Sequence, residues 1–213
     1  MRALRLIRRL AWAGVAATGF VVLAVATGWF VVDGPGAGGR PAVATGPASL
    51  AIGGPFRLTD HRGRAVTERD FRGKPMAVFF GFTHCPDICP TTLGEFAAYM
   101  EALGPAAERL HWVFVTVDPE RDTPEHLARY MELFDPRIVA LTGAEARVAE
   151  AARGFRVSYR RVPLEGGGYT MDHTASVFLL DAAGRFAGTI DFKEPDAVAV
   201  QKLRLLLGLP PGA

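Results

Sequence analysis

Hydrophobic positions beyond residue 55 alternate between short apolar runs and stripes with helical spacing. Short runs predict strands, whereas apolar residues three and four positions apart predict helices. The predicted strands are Phe56–Thr59, Ala65–Thr67, Met76–Phe82, Leu110–Val117, Arg137–Leu141, Ser176–Leu180 and Phe186–Ile190. The predicted helices run from about Pro90 to Leu103, from Asp122 to about Phe134, over Ala144–Arg153 and over Ala197–Leu207.

The order of these elements predicts an α/β fold. Strand–helix–strand units favour parallel strands joined by right-handed crossovers. Turn residues at Asp60–Gly63 and Asp181–Gly184 predict a hairpin near each end of the domain, so we expect a mixed sheet. In such sheets, sites form where the carboxyl ends of strands meet the amino ends of helices. The segment between Phe82 and Pro90 lies at such a junction.

The N-terminal segment has the pattern of a membrane anchor. The uncharged run Leu10–Val32 is 23 residues long and follows four arginines. A spanning helix needs about 20 apolar residues, whereas the core of a signal peptide has about 7–15. We therefore predict a transmembrane anchor over residues 10–32; cleavage after Ala24–Ala26, a small-x-small sequence, is the alternative.

The arginines also predict an orientation. Positive charge before the anchor keeps the tail, residues 1–9, in the cytoplasm and places the domain outside. For a bacterium, this predicts a single-pass inner-membrane protein whose domain lies on the periplasmic side. A mitochondrial inner-membrane protein whose transit peptide had been removed would show the same pattern.

Residues 33–54 are predicted to form a flexible linker between the anchor and a domain over residues 55–213. The linker holds seven glycines and three prolines, and as a flexible coil it would span on the order of 25 Å. The formal net charge of the chain is +2, and without the four arginines of the tail the remainder carries −2. No basic patch therefore argues for a nucleic-acid partner.

The two cysteines of the chain, Cys85 and Cys89, share the loop Gly81–Pro90. Thiolates are strong soft ligands and redox nucleophiles, so we expect the chemistry of the protein here. Because Pro90 suits the first helical position, we expect Cys89 at the N-cap, where the helix dipole would lower its pKa. A lowered pKa assists metal binding and redox exchange equally.

The spacing of the cysteines leaves a metal site, a redox dithiol and an inert disulfide open. Redox dithiols commonly have two intervening residues, whereas three separate these cysteines and leave room for an ion. Two thiolates and an imidazole suit copper in either oxidation state. A disulfide closing so short a ring would stabilise the fold little, because the stabilisation grows with loop length.

Five histidines compete for the place of third ligand. His61 and His126 are expected to be solvated, and His111 to be structural. His84 adjoins the first cysteine, but in an extended backbone its side chain would point to the opposite side. His173, just before an apolar strand, is the remaining candidate, with an ordinary core histidine as the alternative.

Three separated motifs resemble the Sco/SenC family: Gly81–Leu93, Val117–Pro124 and Asp172–Thr174. The similarity extends from about Gly53 to the final helix. It implies a thioredoxin-like mixed sheet flanked by helices, tethered to the inner membrane. It also implies that copper is bound by two cysteines and one histidine, with two carboxylates as candidates for the outer shell: Cys85, Cys89 and His173, then Asp87 and Asp172. A turn-capping role is the alternative for Asp172.

The resemblance implies a metallochaperone that delivers copper, as Cu(I) and in some cases as Cu(II), to the dinuclear copper site of cytochrome c oxidase. The partners implied are the oxidase subunit that carries this site, an upstream copper carrier and the membrane. An enzymatic alternative is a thiol–disulfide oxidoreductase that keeps the cysteines of the oxidase site reduced. That role needs a cycling Cys85–Cys89 pair but not His173.

Overall fold

The computed structural model of the protein describes residues 52–210. The predicted tail and anchor, and nearly all of the predicted linker, lie outside the described residues. Within residues 52–210, no helix is both long and apolar enough to cross a bilayer.

The described chain contains nine strands, four α-helices and two short 3-10 helices. The strands are β1 (Arg57–Asp60), β2 (Ala65–Thr67), β3 (Met76–Gly81), β4 (His111–Thr116), β5 (Ile138–Thr142), β6 (Tyr159–Pro163), β7 (Tyr169–His173), β8 (Val177–Leu180) and β9 (Phe186–Ile190). The helices are α1 (Ile88–Leu103), α2 (Pro124–Met131), α3 (Glu145–Gly154) and α4 (Asp196–Leu206). The 3-10 helices are Glu68–Phe71 and Gly104–Arg109.

Seven strands form one mixed sheet in the order β2-β1-β5-β4-β3-β8-β9. The three central strands, β5, β4 and β3, run parallel, while β1 and β8 flank them antiparallel. The strands β6 and β7 pair separately as a two-stranded sheet. The mixed α/β sheet and both terminal hairpins predicted from the sequence are therefore confirmed.

The central strands are buried on both faces. All six residues of β3 are buried, as expected for parallel strands covered by helices on each side. Because side chains alternate along a strand, Phe79 and Phe114 share one face, where α1 packs Phe96 against Trp112. On the other face, Phe80 contacts Phe155 at the end of α3.

Two neighbouring parallel strands end side by side. Gly81 closes β3 and is paired with Thr116, which closes β4. The loop after β3 leads into α1, and the loop after β4 leads into α2. The segments that follow these two strands therefore meet at one edge of the sheet, where sites in α/β sheets form.

The sequence places each main-sheet strand to within one residue at either end, but it does not reveal the hairpin of β6 and β7. Every residue of this hairpin is exposed or half-buried, so it lacks the apolar signal by which strands are recognised. The predicted end of α2 at about Phe134 is also wrong. The helix ends at Met131, after which Leu133 N–H bonds the Tyr130 carbonyl in a tighter turn, ahead of Asp135-Pro136.

Candidate metal centre

The loop between β3 and α1 carries Cys85, and the first turn of α1 carries Cys89. The expectation that Cys89 is the N-cap is wrong: α1 begins at Ile88, and Asp87 occupies the cap. Pro90 is accommodated as the third helical residue because the first four N–H groups of a helix have no partner within it. One of these free groups, Cys89 N–H, donates to the Cys85 sulfur over 3.4 Å. The helix terminus thus stabilises negative charge on Cys85.

The two thiols and one imidazole converge on a single point. The ligand atoms of Cys85, Cys89 and His173 all lie within 4.8 Å of one another. His173 arrives from the end of β7, and its Nε2 lies 3.5 Å from the Cys89 Sγ. The structure therefore brings together the three residues that the sequence singled out, across a separation of 84 positions. Both cysteines are free thiols.

The orientation of the His173 ring is fixed by its surroundings. Its Nδ1 lies 2.9 Å from the Thr174 carbonyl oxygen. A carbonyl only accepts, so Nδ1 carries the hydrogen and Nε2 faces the cysteines with a free lone pair. Phe79 and Phe82 hold the ring edge-on, with centroid separations of 6.0 and 5.7 Å. A ring held this way is set to act as a neutral ligand through Nε2.

The two thiols share one proton unequally. A hydrogen bond from the Cys89 thiol lowers the pKa of Cys85 far below the usual thiol value, although burial opposes this effect. The same bond and the burial of Cys89 raise the pKa of Cys89. The half-buried Cys85 is therefore the thiol that loses its proton more readily, and the fully buried Cys89 is the one that retains it. A metal that binds both sulfurs must displace that proton.

Gly81 makes room for the buried sulfur. A Cβ at this position would lie 2.8 Å from the Cys89 Sγ, 2.8 Å from the Phe114 ring and 3.0 Å from the Phe79 ring. These distances are shorter than real carbon contacts, so a side chain here would displace Cys89. The absence of a side chain at the end of β3 is thus part of the site.

Tyr130 of α2 is a neighbour of the thiols that the sequence did not indicate. Its hydroxyl is buried and has no hydrogen-bond partner among the described residues. Burial raises the pKa of Tyr130, and the electrostatic effect of the thiol pair Cys89 and Cys85 raises it further. The Tyr130 hydroxyl is therefore close enough to the thiols to interact with them electrostatically, but it forms no hydrogen bond to either sulfur.

The two carboxylates suggested for the outer shell lie apart from the three ligand atoms. Asp172 is exposed and pairs with Arg160 across the β6–β7 hairpin at 2.9 Å. It precedes His173 on a strand, so its side chain points to the opposite face. Asp87 is exposed. Its backbone N–H, and not its carboxylate, contributes to the site by helping to lower the pKa of Cys85.

The remaining histidines fall into two groups. His61 is half-buried and its Nδ1 accepts the Ala140 N–H at 3.1 Å, so the expectation of a solvated ring is wrong. His111 packs edge-on against Phe71, and burial lowers its pKa, in keeping with a structural role. His84 and His126 instead stack on each other beside Asp122. For His126, too, full solvation is wrong, because the residue is half-buried.

Comparison with known proteins places the chain among relatives of the same architecture. The sequence model of the SCO1/SenC family matches residues 44–208. The human protein SCO2 homolog, mitochondrial, is 45% identical over 140 residues, which cover 64% of this chain and 53% of that protein. The chain thus spans about half the length of this curated relative.

Solved structures are similar to this chain in both sequence and fold. Bradyrhizobium japonicum ScoI with copper bound is 44% identical, with a TM-score of 0.68, over 73% of this chain and 99% of that one. Arabidopsis thaliana ScoI with copper bound is 34% identical, with the same TM-score of 0.68, over 73% of this chain and 99% of that one. The likeness confirms the mixed, thioredoxin-like α/β fold. The protein therefore belongs to the SCO1/SenC family.

Proposed function

We propose that this protein is a copper-binding chaperone whose cargo is held by Cys85, Cys89 and His173. The observation that carries the proposal is the convergence of two sulfurs and a free imidazole lone pair within 4.8 Å. Thiolate and imidazole ligands suit copper as well as zinc, and a set of two sulfurs and one nitrogen serves Cu(I) and Cu(II). The solved ScoI structures from Bradyrhizobium japonicum and Arabidopsis thaliana, which have copper bound, support the choice of metal.

The unequal burial of the sulfurs suggests how the cargo would leave. Cys85 is partly exposed, whereas Cys89 is fully buried beneath the loop. An incoming ligand from a partner would reach the metal on the Cys85 side, replace that thiolate first, and leave the buried thiolate and His173 until last. Stepwise replacement avoids release of the free ion.

The recipient we propose is the dinuclear copper site of cytochrome c oxidase, with an upstream carrier as copper source. The resemblance of the three sequence motifs to the Sco/SenC family supports this assignment. We further propose that the predicted helix over residues 10–32 tethers the domain to the bacterial inner membrane on its periplasmic side. The linker would then allow the site to reach a membrane-bound partner.

Copper titration of the reduced protein tests the ligand set. We expect one tightly bound equivalent of Cu(I) and a loss of affinity of roughly 100-fold, about 2.7 kcal/mol, in His173→Ala. His111→Ala is the matched control, because His111 opens β4 at the end of the sheet remote from Gly81 and Thr116. Unchanged affinity in His173→Ala would remove the imidazole from the site.

A second function, thiol–disulfide exchange, is favoured by the polarised thiol pair. The Cys85 thiolate would attack a partner disulfide, forming a mixed disulfide and releasing one partner thiolate. Cys89, on losing its proton, would then attack Cys85, releasing the second partner thiol and leaving a Cys85–Cys89 disulfide. The partner is reduced by two electrons and this pair is oxidised by two.

The reduction potential of the Cys85–Cys89 pair separates the two roles. Known exchange proteins lie between roughly −270 and −120 mV, and a potential within that range, together with exchange activity that survives His173→Ala, would support the oxidoreductase. A potential far below the range would make the Cys85–Cys89 disulfide hard to reduce again after one round of exchange, so it would speak against catalytic turnover and favour copper delivery.

A further inference from the structure

Three more ligand-bearing side chains meet beside the cysteine loop without taking part in the triad. The ligand atoms of His84, Asp122 and His126 all lie within 4.8 Å of one another. They come from two separate segments: the loop after β3, and the loop after β4 with the first turn of α2 that follows it. Nothing in the function proposed above uses them.

The carboxylate of this cluster is built into the core. Asp122 is fully buried. Its Oδ2 accepts from the Thr83 N–H at 3.0 Å and from the Thr116 hydroxyl at 2.6 Å. A buried carboxylate held by several donors cannot rotate away, so its second oxygen, Oδ1, is held in a fixed place against the Thr83 hydroxyl.

The two imidazoles are brought to the same place by Thr83. The Thr83 hydroxyl lies 2.6 Å from Asp122 Oδ1, 3.0 Å from His84 Nδ1 and 2.9 Å from His126 Nε2. The rings of His84 and His126 stack, with centroids 5.5 Å apart and planes 19° from parallel. One hydroxyl thus holds three ligand atoms around a common centre.

A hydroxyl donates one hydrogen bond and accepts two, so the three contacts fill the bonding capacity of the Thr83 hydroxyl. A threonine hydroxyl has a single hydrogen, and the shortest contact gives it to Asp122. Each imidazole must then direct an N–H at the Thr83 oxygen. An ion bound between these atoms would displace the Thr83 hydroxyl from their centre. If the hydrogen of each ring then moves to its other nitrogen, both rings stay neutral and offer a lone pair to the ion, with no net release of protons.

We propose that His84, Asp122 and His126 form a second, sulfur-free site for a divalent cation of the Cu²⁺ or Zn²⁺ class. Imidazole and carboxylate ligands bind these ions with bonds of about 2.0–2.2 Å. Such bonds place ligand atoms about 3–4 Å apart, and His84 Nδ1 already lies 3.9 Å from Asp122 Oδ1. His84 is exposed, with 46% of its side chain accessible, so it can adjust while Asp122 and α2 stay in place.

The two sites are neighbours with different chemistry. His84 precedes Cys85 in the chain, and the Asp122 charge is near enough to contribute to the raised pKa of Cys89. The triad offers two soft sulfurs and one nitrogen, whereas the second site offers two nitrogens and an oxygen. The second site therefore suits zinc or Cu²⁺, the harder and oxidised form of copper. The proposal of this site does not depend on whether the triad delivers copper.

The test removes the triad and asks whether a site remains. The full-length chain, tag-free and in detergent, is prepared with Cys85→Ser and Cys89→Ser, and Cu²⁺ is titrated into it with electron paramagnetic resonance as the readout. We expect one saturable equivalent with nitrogen hyperfine splitting. In the same background, His126→Gln and His84→Gln should each lower the affinity at least about tenfold. These are the informative variants, because Asp122→Asn would also disturb the buried core.

His111→Gln is the matched control and should leave the affinity unchanged. Calorimetric titration with Zn²⁺ in the same variants should reproduce the ranking. Absence of saturable Cu²⁺ binding, or equal binding in His126→Gln and its parent, would overturn the second site. Because the parent has already lost both thiols, neither outcome bears on copper binding by the triad.

Discussion

Gly81 is the residue at which the fold and the site constrain each other most closely. Gly81→Ala would drive a methyl group to within 2.8 Å of both the Cys89 sulfur and the Phe114 ring. Overpacking of this kind costs about 1–3 kcal/mol of unfolding free energy. We expect that loss in chemical denaturation, together with weakened copper binding because Cys89 must move.

Gly94→Ala is the matched control for this substitution. Gly94 lies on an exposed position of α1, and a Cβ there meets nothing within 4 Å. Alanine favours a helix over glycine by roughly 0.8–1.0 kcal/mol, so this variant should be slightly more stable. A Gly81→Ala protein as stable and as avid for copper as the parent would refute the packing argument.

The chemistry of the residues alone was enough to predict the two cysteines as ligands and one histidine as a candidate ligand. Thiols are rare in this chain, so Cys85 and Cys89 stand out by their chemistry alone. His173 could only be a candidate, because its approach depends on the β6–β7 hairpin, whose half-exposed residues carry no strong pattern. The position of Cys89 within α1 was missed because proline is tolerated through the whole first turn, so Pro90 did not mark where the helix begins.

Two turns that join neighbouring strands share one pattern of hydrogen bonds to an aspartate, but the aspartate is buried to a different extent in each turn. In the turn between β1 and β2, Asp60 accepts the N–H groups of Arg62 and Arg64 and the Arg64 guanidinium. In the turn between β8 and β9, Asp181 accepts the equivalent groups of Ala183 and Arg185. Asp60 is fully buried, whereas 30% of the Asp181 side chain is exposed.

Acid should weaken the Asp60 turn in a predictable direction. Burial alone would raise the pKa of Asp60, but the bonds from Arg64 and Arg62 outweigh it and hold the pKa below its ordinary value of 3.8. A carboxyl whose folded pKa is lowered contributes stability above its unfolded pKa and loses it as the pH falls through the folded value. Asp60→Asn should therefore be less stable at pH 7 by about 1–3 kcal/mol, with a deficit that shrinks below pH ~4.

Denaturant melts of Asp60→Asn and Asp181→Asn between pH 7 and pH 2 measure this difference. Asp181 has the same bonds and a lowered pKa, but its carboxylate is partly exposed to water. The loss of unfolding free energy in Asp181→Asn should therefore be smaller than in Asp60→Asn. An Asp60→Asn deficit that stayed constant down to pH 2 would contradict the role assigned to the charged carboxylate.

Contacts between distant elements account for what sequence patterns did not show. Asp122 reaches Thr83 because β3 and β4 run parallel and end together at Gly81 and Thr116. The predicted parallel order contained that signal, since loops that follow adjacent parallel strands meet at one edge. It could have drawn attention to the cluster of His84, Asp122 and His126, but the register of the two strands was needed to see which residues meet.

At the scale of the whole chain, the proposed tether is open to direct measurement. Full-length protein expressed in a bacterium should stay with the membrane pellet after a carbonate wash, and its domain should be open to protease added from the periplasmic side. A chain that begins at residue 33 and is exported by a cleavable signal should leave the pellet. Full-length protein released by carbonate, or with its mature N-terminus at Thr27, would show that residues 10–32 are not retained as an anchor.

The central claim, that two sulfurs and one imidazole hold copper, is tested most directly by the absorption spectrum of the reduced protein loaded with one equivalent of Cu(II). We predict intense thiolate-to-copper charge-transfer bands that weaken in Cys85→Ser and in Cys89→Ser, vanish when both cysteines are replaced, and shift in His173→Ala, since each residue is a ligand. His111→Ala should leave the bands unchanged. A spectrum with only weak copper-centred bands, or charge-transfer bands indifferent to all three ligand substitutions, would contradict the account.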